Sequence, residues 1–217
     1  RKEVFVLTCL LVAVNARYSH SCLAQYAIKK ACKEQKIPVM TQQWSINKPL
    51  EETREEILAV KPELIAFSCY IWNSQYIISL ATMLKEKAPQ LTIVLGGPEA
   101  EGQARNLLTE YPMIDFVLCG EGEYVFPLFY QAWAKGMDYV QVPGLYYRQQ
   151  GVIKNNIAAP LLLMDDLPFP YEEENLQDFA HHILYYESSR GCPFTCSYCS
   201  SAGQKPRPVS FDKNGIP

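Results

Sequence analysis

Three cysteines near the carboxyl end of the sequence have the residue type and the spacing to bind a metal together. Cys192, Cys196 and Cys199 form a C-x3-C-x2-C pattern, so all three thiolates can turn toward one centre. Soft sulfur ligands suit zinc or iron–sulfur clusters. A closed structural zinc site takes four ligands, and no Cys or His follows Cys199. Three thiolates on a four-iron cluster would leave one iron open. Three unrelated buried thiols, or a zinc site with a distant fourth ligand, are the alternatives.

The residues around these cysteines resemble the radical S-adenosylmethionine (SAM) superfamily. Arg190 and Gly191 precede the first cysteine, and Tyr198 is the aromatic residue of a C-x3-C-x-aromatic-C motif. The resemblance implies that the three cysteines bind a 4Fe-4S cluster, that SAM chelates its open iron, and that Tyr198 lies at this cofactor. It also implies cleavage of SAM to a 5′-deoxyadenosyl radical, a reductant such as ferredoxin or flavodoxin as partner, and a small-molecule substrate of unknown identity.

The position of the motif predicts how much of the corresponding domain the chain contains. Only eighteen residues follow Cys199, whereas a (β/α) barrel needs roughly 200 residues. We therefore expect residues 183–217 to form only the first strand of a barrel, with its apolar run at 183–186, and the cluster loop. The chain is then expected to be the amino-terminal fragment of a longer enzyme and to be inactive by itself.

The elements that position this motif begin with the apolar run 4–14, which we interpret as a buried parallel strand. A secretory signal is the competing interpretation, because Arg1 and Lys2 precede the run and Val14-Asn15-Ala16 resembles a cleavage site. The run is too short to cross a bilayer as a helix. Oxygen-sensitive cluster chemistry needs a reducing compartment, which favours the strand.

Strand and helix patterns then alternate along the chain. Five strands that alternate with helices predict an α/β fold: a flavodoxin-like (Rossmann-like), doubly wound, five-stranded parallel sheet in the order 2-1-3-4-5. Such sheets bind ligands beyond the carboxyl ends of their strands. The further predicted strands are 39–44, 64–69, 92–95 and 116–119, and the predicted helices are 22–35, 49–60, 74–87, 100–111 and 123–133.

The loops after the strands carry the candidate ligand-binding residues. Two loops are glycine-rich, which lets the backbone approach a ligand closely, although such glycines also form simple turns. None contains a G-x-G-x-x-G or Walker pattern, which disfavours a dinucleotide or a nucleoside triphosphate. The candidates are His20 and Ser21; Ser68, Tyr70, Trp72 and Asn73; Gly96, Gly97 and Pro98; and Gly120, Glu121 and Gly122.

In this order before a cysteine motif, the loops resemble the cobalamin-dependent radical SAM proteins. That group includes anaerobic magnesium-protoporphyrin ester cyclases and many methyltransferases. The resemblance rests on Ser-Cys-Tyr-Ile-Trp-Asn at 68–73, Gly-Gly-Pro-Glu at 96–99 and Gly-Glu-Gly-Glu at 120–123. It implies that cobalamin lies across the carboxyl edge of the sheet, with its nucleotide tail running into the core past the glycines. Methyl transfer and ring formation are both open as the reaction.

The first loop departs from the pattern of many free-standing cobalamin domains, which carry D-x-H-x-x-G with a cobalt-binding histidine. Here His20 is present, but the aspartate and the glycine are absent, so the carboxylate that would orient the imidazole is missing. We interpret His20 as a donor that lines the pocket or as a residue at a helix N-terminus without a ligand, with cobalt ligation as the alternative. Tyr70 and Trp72 are candidates to cover the corrin face or are core aromatics. Glu121 and Glu123 are also explained as acids at a helix N-terminus.

Between these two parts of the chain we predict a hairpin and a linker. A Gln-Gln-Gly turn at 149–151 predicts the hairpin, and the Pro-rich, acidic segment that follows marks a boundary. His181 and His182 are interpreted as exposed linker residues, because neighbours on an extended segment point to opposite sides. The predicted divisions are 1–140 (cobalamin-binding domain), 141–182 (hairpin and linker) and 183–217 (start of the radical SAM domain).

The composition narrows the function further. The chain has 20 Lys and Arg against 23 Asp and Glu, without a basic block, which gives nucleic-acid binding little support. The five other cysteines are scattered through apolar stretches and indicate reduced thiols of a cytoplasmic protein without a membrane span. Besides the radical SAM enzyme, two other functions stay open. One is a non-catalytic cobalamin-binding module. The other is a radical SAM protein whose front domain has lost cobalamin and serves for interaction.

Overall fold

A seven-stranded, mostly parallel sheet forms the centre of the protein. The computed structural model describes residues 7–172, 179–199 and 201–210. The strand order is β2-β1-β3-β4-β5-β6-β7, and the first five strands in this order are parallel. These strands are β1 (Cys9–Asn15), β2 (Met40–Ser45), β3 (Leu64–Ser68), β4 (Thr92–Gly96) and β5 (Phe116–Leu118). The predicted parallel sheet and its order are confirmed.

Helices cover both faces of this sheet. Alternate residues of β1 point to opposite faces, so Leu10 and Val12 join one core cluster while Cys9 and Leu11 join the other. The first cluster is covered by helices α2 to α5, and the second by α1 and α6. The helices are α1 (Leu23–Glu34), α2 (Leu50–Val60), α3 (Ser74–Lys87), α4 (Pro98–Gly102), α5 (Ala104–Glu110) and α6 (Gly122–Ala134).

Strand β1 is completely buried, which explains its continuous apolar sequence. The predicted strand is present from Cys9 onward, and residues 4–6 of the predicted run lie outside the described residues. The helix that we predicted over 100–111 is two helices, separated at Gln103, whose backbone is not helical (φ −127°). Gly102 ends the first helix because glycine is a poor helix former.

The predicted hairpin is present, but it extends the sheet instead of standing apart from it. Strand β6 (Leu145–Gln149) pairs antiparallel with β5, and β7 (Val152–Asn155) pairs antiparallel with β6. The two turn residues, Gln150 and Gly151, both have positive φ, as a tight hairpin turn requires. The sheet therefore has seven strands where five were predicted, and the domain boundary at residue 140 stays a prediction.

The cysteine motif begins in a separate two-stranded antiparallel sheet, which contains Cys192, and continues in the loop between its two strands, which contains Cys196 and Cys199. This sheet consists of β8 (Ser189–Cys192) and β9 (Gln204–Pro208). The apolar run 183–186, which we expected to be a strand, makes one isolated parallel bridge from Ile183 to His20, and the regular pairing starts only at Ser189. Among the described residues, no helix is both long and apolar enough to cross a membrane.

Candidate functional site

A cavity of about 840 Å³ opens at the carboxyl edge of the parallel sheet. Its floor consists of apolar side chains from the four central strands, Leu11, Ala66, Val94 and Leu118. Its walls come from helices α1 and α6, which contact each other on this face of the sheet. The cavity therefore runs from the strand ends down between the sheet and these two helices, where the second core cluster lies.

Most of the predicted loop residues meet at this cavity. Eleven of the twelve candidates in the four loops line it: His20, Ser21, Ser68, Tyr70, Trp72, Gly96, Gly97, Pro98, Gly120, Glu121 and Gly122. The twelfth, Asn73, is fully buried behind them and does not line it. The carboxyl ends of parallel strands share one edge of the sheet, which explains why loops that are distant in sequence come together.

Asn73 organises the loop after β3. Its side-chain amide donates to the carbonyl oxygens of Val14 (2.9 Å) and Ser68 (3.0 Å), and its Oδ1 accepts a hydrogen bond from the amide of Tyr70 (2.7 Å). These bonds tie the loop to the ends of β1 and β3. Asn73 therefore holds Tyr70 in place, which is a different role from the ligand contact that we predicted.

Two of the glycines permit close approach of neighbouring elements. Gly97 has φ +98°, and a Cβ atom there would lie 2.6 Å from the carbonyl oxygen of Cys69. A Cβ atom at Gly122 would lie 2.6 Å from the side chain of Ile28 on α1. Gly97 thus packs the loop after β4 against the loop after β3, and Gly122 lets α6 begin against α1.

An aromatic pair stands at the mouth of the cavity. The rings of Tyr70 and Trp72 stack with centroids 4.4 Å apart and planes 10° from parallel. Trp72 is half exposed, whereas Tyr70 lies beneath it. The pKa of the Tyr70 phenol is raised, mainly by burial and to a smaller extent by the neighbouring Cys22. The phenol is therefore protonated, and the exposed indole offers a flat apolar surface to a ligand.

His20 is fixed by the segment before the cysteine motif. Its Nδ1 shares a hydrogen bond of 2.7 Å with the Tyr185 hydroxyl. The backbone on either side is also tied, because Ile183 N donates to Ser19 O (2.7 Å) and Ser21 Oγ donates to Ile183 O (2.8 Å). Tyr185 thus holds the imidazole from a position that lies 165 residues away in sequence. Sequence reasoning missed this partner because no local pattern indicates it.

A group of charged side chains that the sequence did not reveal also borders this cavity. Arg190 contacts Glu123 (2.6 Å), Glu187 (2.8 Å) and Glu121 (3.4 Å), and Arg207 contacts Glu121 (2.7 Å). We call these five residues the carboxylate–arginine cluster. Burial lowers the pKa of Arg190, but the hydrogen bonds and charges of Glu123 and Glu187 outweigh it and hold this pKa above its ordinary value. The side chain of Glu121 makes no hydrogen bond that caps α6.

The cysteine motif is not assembled into a metal site in the described part of the chain. Cys192 is half-buried in β8, whereas Cys196 and Cys199 are exposed. No group of three or more His, Cys, Asp or Glu residues that could hold a metal occurs among the described residues. Tyr198 is 90% exposed and does not line the cavity. The thiols have the chemistry to ligate a cluster, but their arrangement does not make a ligand set. His181 and His182 are exposed, as predicted.

Comparison with known proteins decides the family. The B12 binding domain family matches residues 10–129, which are more than half of the chain and include the five parallel strands from Leu10 onward and the four loops that line the cavity. The chain belongs to this family.

Curated relatives of this B12-binding-domain protein are enzymes. It is 31% identical over 165 residues to the cobalamin-dependent radical SAM methyltransferase TokK of Streptomyces tokunonensis. This alignment covers 70% of this chain and 23% of TokK. The chain is 30% identical over 159 residues to the anaerobic magnesium-protoporphyrin IX monomethyl ester cyclase of Synechocystis sp., which covers 70% of this chain and 32% of the cyclase. The chain thus spans less than a third of the length of either relative.

Solved structures share its fold. The cobalamin-dependent SAM radical enzyme OxsB with aqua-cobalamin and SAM bound matches 95% of this chain and 30% of its own, with a TM-score of 0.76 and 17% identity. The radical SAM methyltransferase TsrM from Kitasatospora setae, with cobalamin and a [4Fe-4S] cluster bound, matches 94% of this chain and 44% of its own, with a TM-score of 0.71 and 15% identity. At these identities the likeness concerns the fold.

Proposed function

We propose that the B12 binding domain of this chain binds cobalamin, with the corrin across the carboxyl edge of the sheet and the nucleotide tail in the cavity. The observation that carries this proposal is the cavity of about 840 Å³ between the central strands and helices α1 and α6. Cofactor sites are largely apolar clefts of roughly 300–1,000 Å³ with a few polar groups that fix orientation. This cavity has that character, because its floor is apolar and its rim is polar.

The residues present fit such a cofactor in a specific way. Gly96 ends β4 at the cavity, and the nearest atom that a Cβ there would meet lies 3.7 Å away, so the position is open toward the cavity. The indole of Trp72 gives a flat surface at the mouth, and His20 and Ser21 add polar groups. Cobalamin, when bound, supplies methyl-transfer or electron-transfer chemistry. The residues of this chain bind it, orient it and exclude water from its tail.

The longer proteins that this chain resembles suggest the wider role. We propose that the chain is the cobalamin-binding part of a radical SAM enzyme that carries out methyl transfer or ring formation. In that enzyme Cys192, Cys196 and Cys199 would hold a 4Fe-4S cluster with SAM, and a reductant such as ferredoxin or flavodoxin would supply electrons. The curated relatives that are radical SAM methyltransferases and cyclases support this proposal. The proposed substrate is a small molecule of unknown identity.

The arrangement of the cysteines favours a second candidate for the chain as printed. Cys192 is half-buried and Cys196 and Cys199 are exposed, so the second candidate is a module that binds cobalamin and in which these three cysteines hold no cluster. Both candidate functions place cobalamin in the cavity, and they differ in whether the three cysteines hold a cluster that takes part in a reaction.

A substitution that fills the cavity tests the proposal directly. Gly96→Leu places an isobutyl group into the open space at the end of β4, so we expect the Kd for hydroxocobalamin, measured by absorbance titration, to rise at least about tenfold. Gly102→Leu is the matched control, because Gly102 has no neighbouring atom within 4 Å of an added Cβ and does not line the cavity. Failure of the parent chain to bind cobalamin, or equal binding by both variants, would contradict the proposed site.

A further inference from the structure

The carboxylate–arginine cluster joins two segments that are far apart in sequence. Glu121 and Glu123 lie at the start of α6, where they border the cavity, whereas Arg190 and Arg207 lie in the small sheet that carries the cysteine motif. Arg190 and Glu123, 67 residues apart, make the shortest contact of the cluster, 2.6 Å. The ends of the parallel sheet and the cysteine strand therefore meet through charged side chains.

Burial makes these contacts strongly dependent on one another. The side chains of Glu123, Arg207, Glu121 and Arg190 are 8%, 10%, 11% and 17% exposed. Removing one partner of a buried ion pair leaves a charge without compensation, which is much more unfavourable than losing a surface pair. If β8 moved so that Arg190 was separated from these carboxylates, the buried charges of the cluster would lose their compensating partners. The cluster therefore fixes where β8 lies.

Glu121 extends the same network to the linker. Its Oε2 accepts a hydrogen bond from the amide of Leu162 (3.0 Å), while Arg207 donates to the carbonyl oxygen of Leu162. Both strands of the small sheet and the linker before it are thus attached to the loop between β5 and α6. A hinge motion of the small sheet as a unit would have to break these contacts together.

Arg190 is two residues before Cys192 in the same strand, so whatever fixes Arg190 also fixes the first cysteine. We infer that the carboxylate–arginine cluster positions the cysteine strand against the mouth of the cavity, with Glu123 and Arg190 as its central pair. This inference rests on the proposed function, in which the cavity holds cobalamin and the cysteines hold a cluster. In that setting the pair would set the separation of the two cofactors.

Charge reversal and its rescue test the pair. Arg190→Glu brings a fourth carboxylate to the cluster, so we expect amide hydrogen exchange in 189–192 to rise about tenfold, which corresponds to a coupling of about 1.4 kcal/mol. Arg190→Gln, which only removes the charge, is a milder second variant with a change in the same direction. Combining Arg190→Glu with Glu123→Arg restores opposite charges and should return the exchange to within about threefold of the parent.

A distance measurement separates positioning from simple stabilisation. One nitroxide is attached to the exposed Cys196 and a second to a Tyr18→Cys substitution at the sheet edge, in a chain whose Cys192 and Cys199 are replaced by Ser. The distance between the two nitroxides reports where the cysteine loop lies. We expect a narrow distance distribution in the labelled parent, a broad or shifted one with Arg190→Glu, and a narrow one again in the charge swap. Lys30→Glu is the matched control, because it breaks a different ion pair (Lys30–Glu172, 2.8 Å) and should leave the distance unchanged.

The outcomes distinguish this inference from the proposed function. An unchanged distance distribution in Arg190→Glu, or a charge swap that does not restore it, overturns the positioning role even if the chain binds cobalamin. Absence of cobalamin binding by the parent in the absorbance titration instead contradicts the proposed function, while exchange and distance still report whether the pair fixes the strand.

Discussion

At the scale of single residues, the structure changes the meaning of His20. In the sequence, His20 lacks the aspartate that would orient its imidazole. In the structure, the Tyr185 hydroxyl shares a hydrogen bond with its Nδ1 instead. The hydroxyl carries no negative charge, so it lacks the interaction by which a carboxylate supports a metal-ligating imidazole. Sequence reasoning placed His20 at the cavity, but its partner Tyr185 comes from the other end of the chain, so only the folded structure could reveal it.

We therefore predict that His20 lines the cavity and does not ligate cobalt. The electron paramagnetic resonance spectrum of cob(II)alamin bound to the parent chain should lack the nitrogen hyperfine splitting of a coordinated base, and His20→Ala should give the same spectrum. His182→Ala, at an exposed histidine outside the large cavity, is the control. A splitting that is present in the parent and lost only in His20→Ala would identify His20 as the ligand.

At the scale of elements, periodicity located the five parallel strands and the helices between them, except that it joined α4 and α5 into one helix, and it did not locate the attachment of the hairpin. Strand β6 joins the sheet through β5, and Arg148 on β6 donates to the carbonyl oxygens of Leu108, Tyr111 and Ile114. These carbonyls lie at or just beyond the C-terminal end of α5, where the helix cannot satisfy its own acceptors. Nothing in the sequence pattern of the hairpin indicates this contact, because its acceptors are backbone atoms.

Arg148 should accordingly contribute to stability. Replacing it with Met keeps the apolar stem and removes the donors, so we expect the free energy of unfolding to fall by about 1.5–3 kcal/mol, the range for hydrogen bonds to a charged group. Arg105→Met is the matched control, because Arg105 makes longer contacts to β7 and is exposed; its effect should stay within about 0.5 kcal/mol. Urea unfolding with an unchanged m-value measures both, and equal losses would contradict the role of Arg148.

At the scale of the whole molecule, the eight cysteines divide into five that are buried or half-buried in the α/β domain and three in the motif, of which Cys196 and Cys199 are exposed. Burial raises the pKa of Cys32, Cys69 and Cys119 to about 12, with Glu99 and Glu101 adding to the effect at the last two. The predicted reduced core thiols match this arrangement. The sequence indicated the first set from its surroundings, because apolar flanks predict burial. It could not show that the motif is left unassembled, since that depends on contacts from outside it.

The buried thiols predict how stability depends on pH. In the unfolded chain they ionise near the ordinary pKa of 9.0, whereas in the folded chain they stay neutral to about pH 12. Stability is therefore fully present below pH 9 and declines above it, by about 1 kcal/mol per buried thiol between pH 9 and 10. Urea unfolding at several pH values measures this. Cys32→Ala should decline less steeply than the parent, and an equal slope would contradict the assignment.

The arrangement of the three cysteines predicts how well this chain binds an iron–sulfur cluster. Ligand binding by a metal site is coupled to folding of that site, so thiols that the protein does not hold together bind a cluster weakly. Cys196 and Cys199 are exposed and the described residues offer no converging ligand set. After anaerobic reconstitution with iron and sulfide we therefore expect the 217-residue chain to retain well below four irons per chain and to release no 5′-deoxyadenosine from SAM under strong reductant. Cys192→Ala should retain no more iron than the parent chain, while cobalamin binding by residues 10–129 persists in this variant. A stable four-iron cluster with SAM turnover in the printed chain would show that the cysteines assemble without further elements.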